Sequence, residues 1–243
     1  GLRPVRTDLP CRGDCQPGGS MIERLVEGTE GMKNQESLKS KNSATNSPDR
    51  SPKETKSIVL VGVGGQGILL ASEILAQAAM IQGYQVKTNE VHGMAQRGGS
   101  VMAQIRYGEE VKSPLVSKRS AHILGALEKV EALRYWEFLR PDGLAAVSSQ
   151  AIVPVTVSSG LARYPENVEE LLARAFPRLV YIDAPEMAKG LGDSRAANII
   201  LLGAISRGLD LPLESWEEAI GRCVRERFRD LNLKAFSLGR SKA

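Results

Sequence analysis

The order of apolar patterns along this chain points to a single layered α/β domain with a Rossmann-like β-α-β start, a helical C-terminal part and a disordered N-terminal tail. Three observations carry that expectation. Ser57 to Val63 is a short apolar, β-branched run of the kind that forms a buried strand. Its end carries glycines spaced Gly62-x-Gly64-x-x-Gly67, and Ile68 to Ile81 then repeats apolar residues at helical spacing, giving a strand, a tight turn and a helix start. Beyond Ile81, strand-like and helix-like segments go on alternating, the pattern of an α/β layer.

Each later element has its own signal. Gly83 stops the first helix and Gln85 to Glu90 reads as a second strand. Val101, Ala103, Ile105 and Tyr107 alternate with more polar neighbours as a half-buried third strand, and Gly108-Glu109-Glu110 turns the chain. Ala121 to Leu127 reads as a buried strand, Glu128 to Leu139 as a helix, Pro141-Asp142-Gly143 as a turn and Leu144 to Ser148 as another strand. Val168 to Phe176, Ala196 to Arg207 and Trp216 to Phe228 are expected helices, with Arg178 to Asp183 a further strand. No internal repeat is visible.

Residues 1–56 read as a tail and residues 57–243 as the domain. Between Gly31 and Ser57 the only large apolar residues are Met32 and Leu38, too few to offset the entropy of ordering the segment. The whole chain, 243 residues that are 42% apolar and 25% charged, is long and apolar enough to bury a core. With 32 basic against 28 acidic residues and no basic block interleaved with aromatics, nucleic-acid binding is not expected. The most apolar stretch, Ile58 to Ile81, is broken by Gln66, Ser72, Glu73 and Gln77, and the first residues lack the apolar run of a secretory leader. The expectation is a cytoplasmic protein that does not cross a membrane. Cys11, Cys15 and Cys223 match neither zinc nor iron–sulfur spacing, so no metal site is expected on this chain.

The chemistry concentrates in two glycine-rich segments about thirty residues apart, Ser57 to Gly67 and Glu90 to Val101. Glycines at a strand-to-helix turn allow positive φ and close approach, so Gly64, Gly65 and Gly67 either offer N–H groups to an anionic cofactor or let the first helix pack on the sheet. A nicotinamide or flavin dinucleotide site would add an acid at the end of the second strand, and Glu90 stands there. In the second segment Gln96-Arg97-Gly98-Gly99-Ser100 sets a planar cation beside two unhindered backbone positions. Arg97 can grip a carboxylate or phosphate bidentately, or clamp a neighbouring subunit, with Gln96 and Ser100 as neutral partners. His92 is a candidate proton carrier or a structural histidine, and His122 a packed one. Asp183 and Glu186 read as strand-end loop residues. Ser148-Ser149 and Ser158-Ser159 lack a hydrolase elbow.

Taken in order, the turn Gly62 to Gly67, the segment Gly93 to Val101, Ala121 to Arg134, Leu139 to Gly143 and the closing Asn232 to Arg240 resemble the gamma subunit or domain of the 2-oxoacid:ferredoxin oxidoreductases, the pyruvate:ferredoxin oxidoreductase family. The likeness runs from about Ile58 to Arg240 and is greatest to the small subunits that serve indolepyruvate. The resemblance implies oxidative decarboxylation of an aryl pyruvate with coenzyme A to an acyl-CoA, carbon dioxide and reduced ferredoxin. Pyruvate and 2-oxoglutarate enzymes are the alternative within the family, and an NAD- or FAD-binding oxidoreductase the alternative outside it. It also implies a large partner subunit holding thiamine diphosphate and iron–sulfur clusters. Gln96, Arg97, Gly98 and Gly99 would meet that partner or the substrate, with Gly64, Gly65 and Gly67 forming the nearby turn.

Overall fold

The computed structural model describes residues 54–93, 98–153, 164–165 and 167–243. The expected tail up to residue 53, with Cys11 and Cys15, lies outside the described residues, and so do Ser158 and Ser159. Among the described residues six strands form one sheet in the order β2-β3-β1-β4-β5-β6, with β1 at Lys56–Val63, β2 at Gln85–His92, β3 at Ser100–Gly108, β4 at Ala121–Ala126, β5 at Leu139–Ser148 and β6 at Leu179–Ile182. Strands β1, β4, β5 and β6 run parallel. β3 is antiparallel to both β1 and β2.

The β-α-β start is present, with β3 inserted between its two strands. Helix α1 (Ile68–Ile81) carries the chain from β1 to β2 in the same direction, and β3 then returns between them as the second arm of a hairpin. This placement explains why β3 is buried along nearly its whole length and not half-buried as its alternation suggests. One face lies under α1; on the other, the 109–120 connection folds back, and the Val116 N–H donates to the buried Gln104 Oε1 at 2.6 Å. β2 takes the edge, where its polar residues are exposed.

The core sits on the face carrying Ile58, Leu60, Ala103, Ile105 and Ile123, beneath α1, α5 (Ala197–Ser206), α6 (Leu213–Cys223) and α7 (Arg229–Arg240). Helix α5 is buried along Asn198–Ser206, as a helix that is apolar all round must be. It packs closely on α7: a Cβ on Gly239 would meet the Ile200 carbonyl, and one on Gly203 would meet the Phe236 carbonyl. Arg240 Nη1 donates to Ser206 Oγ at 2.8 Å across the same crossing. The other sheet face, with Val59, Val61, Leu124 and Val147 buried, is covered in part by α2 (Lys129–Arg134), which in turn meets α3 (Val168–Ala175).

Three boundaries differ from expectation. The Glu128 to Leu139 helix is the short α2, capped by the Glu128 carboxylate and followed by a 3-10 turn at Trp136–Phe138. Pro141-Asp142-Gly143 lies within β5, at a register shift against β4. The Trp216 to Phe228 helix ends at Cys223, because Val224 and Arg225 are extended, and α7 begins at Arg229. A further helix, α4 (Ala184–Gly190), starts on Asp183, whose Oδ1 accepts from the Glu186 N–H and from Ser149 Oγ.

His122 is structural. The Ser57 N–H donates to its Nδ1 at 3.1 Å, and its Nε2 lies 3.2 Å from Glu54 Oε1, so Glu54 is already held against the domain. Burial, then Arg140, lowers the imidazole pKa below its ordinary value of 6.5. A depressed histidine keeps its contribution to stability above that value and loses it as pH falls, because the unfolded chain takes the proton first. His122→Gln should therefore flatten the loss of stability below about pH 6.5, measured as the pH dependence of the urea midpoint. An unchanged slope would assign the acid sensitivity to other groups.

Candidate functional site

The first glycine segment forms the turn from β1 into α1. Gly65 and Gly67 take φ of +102° and +80°, a region in which only glycine is unstrained. Gln66 is the clasp of the turn: its Oε1 accepts from the Val63 N–H at 2.7 Å and its Nε2 donates to the Leu127 carbonyl at 2.8 Å, tying the ends of β1 and β4 together. Both ends of its amide are thereby used on backbone. Gly67 serves as N-cap of α1 without a side-chain cap, and its carbonyl accepts from Asn198 Nδ2 at 3.1 Å.

The second segment lies directly against the first. The Gly64 N–H donates to the Gly99 carbonyl at 2.9 Å, and the Gly93 N–H donates to the Ser100 carbonyl at 2.9 Å, closing the base of the β2–β3 hairpin beside the glycine turn. Gly98 has φ of +77°. Gln96 and Arg97 belong to the hairpin connection and lie outside the described residues, between Gly93 and Gly98. His92, at the end of β2, is exposed, with Nε2 4.0 Å from Glu90 Oε2.

A cleft of about 550 Å³ opens at the carboxyl ends of β1, β4 and β5, lined by Gly64, Gly65, Gly67, Gln150, Arg195 and Asn198 among others. Open parallel sheets place ligands at this end of their strands. The first-turn N–H groups of α1 carry partial positive charge. Arg195 adds a guanidinium, held by Asp193 through Nε at 3.0 Å to Oδ1 and Nη2 at 2.6 Å to Oδ2; those hydrogen bonds keep the Asp193 carboxyl down at about 2. Its Cζ also lies 5.2 Å from the Phe228 ring centroid. An anion entering the cleft meets backbone N–H groups and a cation that it must share with Asp193. The dinucleotide alternative fits less well, because β3 separates β1 from β2. Glu90 is thus two strand spacings, roughly 10 Å, from the glycine strand instead of one.

Behind the hairpin stand two buried carboxylates that sequence reasoning did not single out. Glu131 Oε2 accepts from Ser100 Oγ, which is also 3.0 Å from the Tyr135 hydroxyl, and Glu131 Oε1 is 3.0 Å from Arg134 Nε. Burial pushes the Glu131 carboxyl pKa up, against the opposing pull of Ser100 and Arg134. Glu128 caps α2 through the Val130 and Glu131 N–H groups, and also accepts from the Ile152 N–H at 3.3 Å and the Tyr164 hydroxyl at 2.8 Å. The spacing Glu128-x-x-Glu131 at a strand end was the signal available, since it matches an acidic N-cap followed by an acid in the first turn. Arg195 and Asn198 had a fainter one, a capping Asp193 before the apolar run of α5.

A mixed sheet with a glycine turn pinned to a glycine hairpin, beside a cleft at the carboxyl ends of its parallel strands, defines an α/β protein with its candidate site at those strand ends. Residues 57–242 match the model of the pyruvate ferredoxin/flavodoxin oxidoreductase family, and the chain belongs to that family. It is 42% identical over 190 residues to indolepyruvate oxidoreductase subunit IorB of Archaeoglobus fulgidus, covering 76% of this chain and 94% of that one. The corresponding subunit of Pyrococcus horikoshii is 41% identical over 187 residues, covering 75% and 93%. The crystal structure of the keto/oxoacid ferredoxin oxidoreductase gamma subunit from Geobacter sulfurreducens superposes with a TM-score of 0.58 at 26% identity, over 77% of this chain and 98% of that one.

Proposed function

We propose that this chain is the small subunit of a heteromeric, ferredoxin-dependent 2-oxoacid oxidoreductase acting on aryl pyruvates such as indolepyruvate. A 2-oxoacid and coenzyme A would give acyl-CoA and carbon dioxide, the two electrons released passing to ferredoxin. The observation that carries the reading is the Gly64–Gly99 hydrogen bond, which joins the two family motifs into one ridge beside the cleft. The relatives at 41 and 42% identity, named for indolepyruvate, support that substrate over 2-oxoglutarate, named for relatives at 28%.

The donors among the described residues do not fit an iron–sulfur cluster. Among the described residues no group of three or more His, Cys, Asp or Glu side chains is placed to hold a metal, and burial pushes the Cys223 thiol up to about 11. Clusters and thiamine diphosphate are assigned to the large subunit, which would supply the carbanion chemistry and the electron path. This chain would contribute the wall: Gly64 pins the hairpin through its N–H, Gly65 and Gly67 let the turn approach a ligand closely, Gly98 and Gly99 let the partner or substrate approach, and Gln96 and Arg97 supply the contact itself. The cleft suits an anionic group of coenzyme A.

Co-expression with the large subunit from the same host tests the proposal. Ferredoxin reduction should require 2-oxoacid and coenzyme A, with kcat/KM highest for indolepyruvate or phenylpyruvate; a preference for pyruvate or 2-oxoglutarate would reject the substrate, and stoichiometric flavin on the isolated chain would reject the class. Arg97→Lys keeps the charge but loses the planar fork, so the complex should lose at least about tenfold in activity. Loss in kinetics with assembly intact assigns Arg97 to the ligand. Separation of the chains on a sizing column assigns it to the interface.

A further inference from the structure

We infer that Glu131 is a positioning residue for the site, acting through Ser100 to hold the Gly99 carbonyl against the glycine turn. The inference rests on the functional reading above for its kinetic consequence but on geometry for its mechanism. Ser100 is the pivot between the two motifs. Its carbonyl closes the hairpin by accepting from the Gly93 N–H, its hydroxyl is bonded to Glu131, and the residue before it supplies the acceptor for the Gly64 N–H. Glu131 is itself immobilised: it is 5% exposed, its N–H is bonded to the Glu128 carboxylate, and its second oxygen is held by Arg134. A short rigid path therefore runs from α2 through Ser100 to the turn that lines the cleft.

The arrangement also explains why a carboxylate is buried here. An apolar residue would leave the Ser100 and Tyr135 hydroxyls with only each other, and a neutral amide has one oxygen to offer and would leave either Ser100 or Arg134 without an acceptor, whereas the Glu131 carboxylate accepts from Ser100 and from Arg134 at once. The charged and polar groups facing it are Ser100 from β3, Arg134 and Tyr135 from the end of α2, and Glu128 from its start. Of these, Ser100 and Arg134 favour the charged form and Glu128 opposes it.

Ser100→Ala, Ser100→Thr, Glu131→Gln and the Ser100→Ala/Glu131→Gln double variant test this in the full chain assembled with its large subunit, and in the chain alone. In the complex, Ser100→Ala and Glu131→Gln should each lower kcat by about tenfold with KM little changed, since the ridge is misplaced and not removed. Ser100→Thr should restore the rate, and the double variant should be no worse than the worse single variant. Ser100→Ala should also move the acid limb of the pH profile towards neutrality, because the hydroxyl no longer stabilises the carboxylate. In the chain alone, the Gly64 amide should exchange with deuterium about tenfold faster in Ser100→Ala and return to the wild-type rate in Ser100→Thr. Wild-type exchange at Gly64 in Ser100→Ala overturns the inference whatever the kinetics. Should the wild-type complex show no 2-oxoacid activity, the functional reading fails while the exchange of Gly64 still decides the positioning role.

Discussion

Gly239→Ala should be the most damaging single methyl in the protein. The added Cβ falls on the Ile200 carbonyl, which is α5 backbone, so no side chain can rotate away to make room. Either the helices separate and open a void on both sides of the crossing, or the α7 backbone shifts along its length. Overpacking of this kind costs typically ~3 kcal/mol at the upper end of its range, enough to lower Tm by roughly 6–12 °C in a domain of this size. Calorimetry on the isolated chain is the direct measurement. A Tm within about 2 °C of wild type would mean that the crossing is looser than the contacts indicate. Leu238→Ala, one position earlier, is the control for a general weakness of α7.

Gly67→Val should rank second, and its effect should exceed that of Gly65→Val, although both glycines have positive φ. At Gly65 a Cβ would meet nothing within 4 Å, so the penalty is conformational, about 1–2 kcal/mol. At Gly67 the same conformational penalty is joined by a collision with the buried Asn198 side chain, which is hydrogen-bonded to the Gly67 carbonyl and to the Ile199 N–H. Displacing Asn198 disturbs the start of α5 and the wall of the cleft together. Thermal unfolding and ferredoxin reduction should therefore fall in parallel for Gly67→Val. For Gly65→Val the stability loss should be smaller. Equal losses would show that the Asn198 contact adds nothing to the turn.

Much of the architecture was legible because it is written in local periodicity. The β1-turn-α1 unit could be read from Ser57 to Ile81 to within a residue, and β4, α5 and β6 were found where apolar runs were bounded by turn chemistry. What escaped was decided by distant contacts. The alternation in β3 suggests one wet face, yet the 109–120 connection, far from regular, covers it through Gln104. The residues after Glu128 have helical propensity as far as Leu139, but the cap that starts α2 does not determine where it stops. In the site, the glycines were readable because positive φ leaves a mark on composition. Glu131, Arg195 and Asn198 were not, since a buried acid, a surface arginine and a core amide reach the glycine turn only through the folded chain. Gln66 was readable as part of the motif but not as a clasp; only the pairing of β1 with β4 puts the Leu127 carbonyl within its reach.

The burial of α5 has a bearing on how the chain is made. Its apolar surface is shared between the sheet and α7, and α7 is synthesised some thirty residues after it. While those residues are still emerging, the nascent polypeptide carries a helix with one flank uncovered, a state that invites association with other unfinished chains. The crossing at Gly203 and Gly239 is then the event that seals the core, and it cannot occur until α7 has emerged. Expression of chains cut before Arg229 should accordingly yield inclusion bodies, with solubility recovered when the missing helix is supplied as a separate peptide that docks on α5.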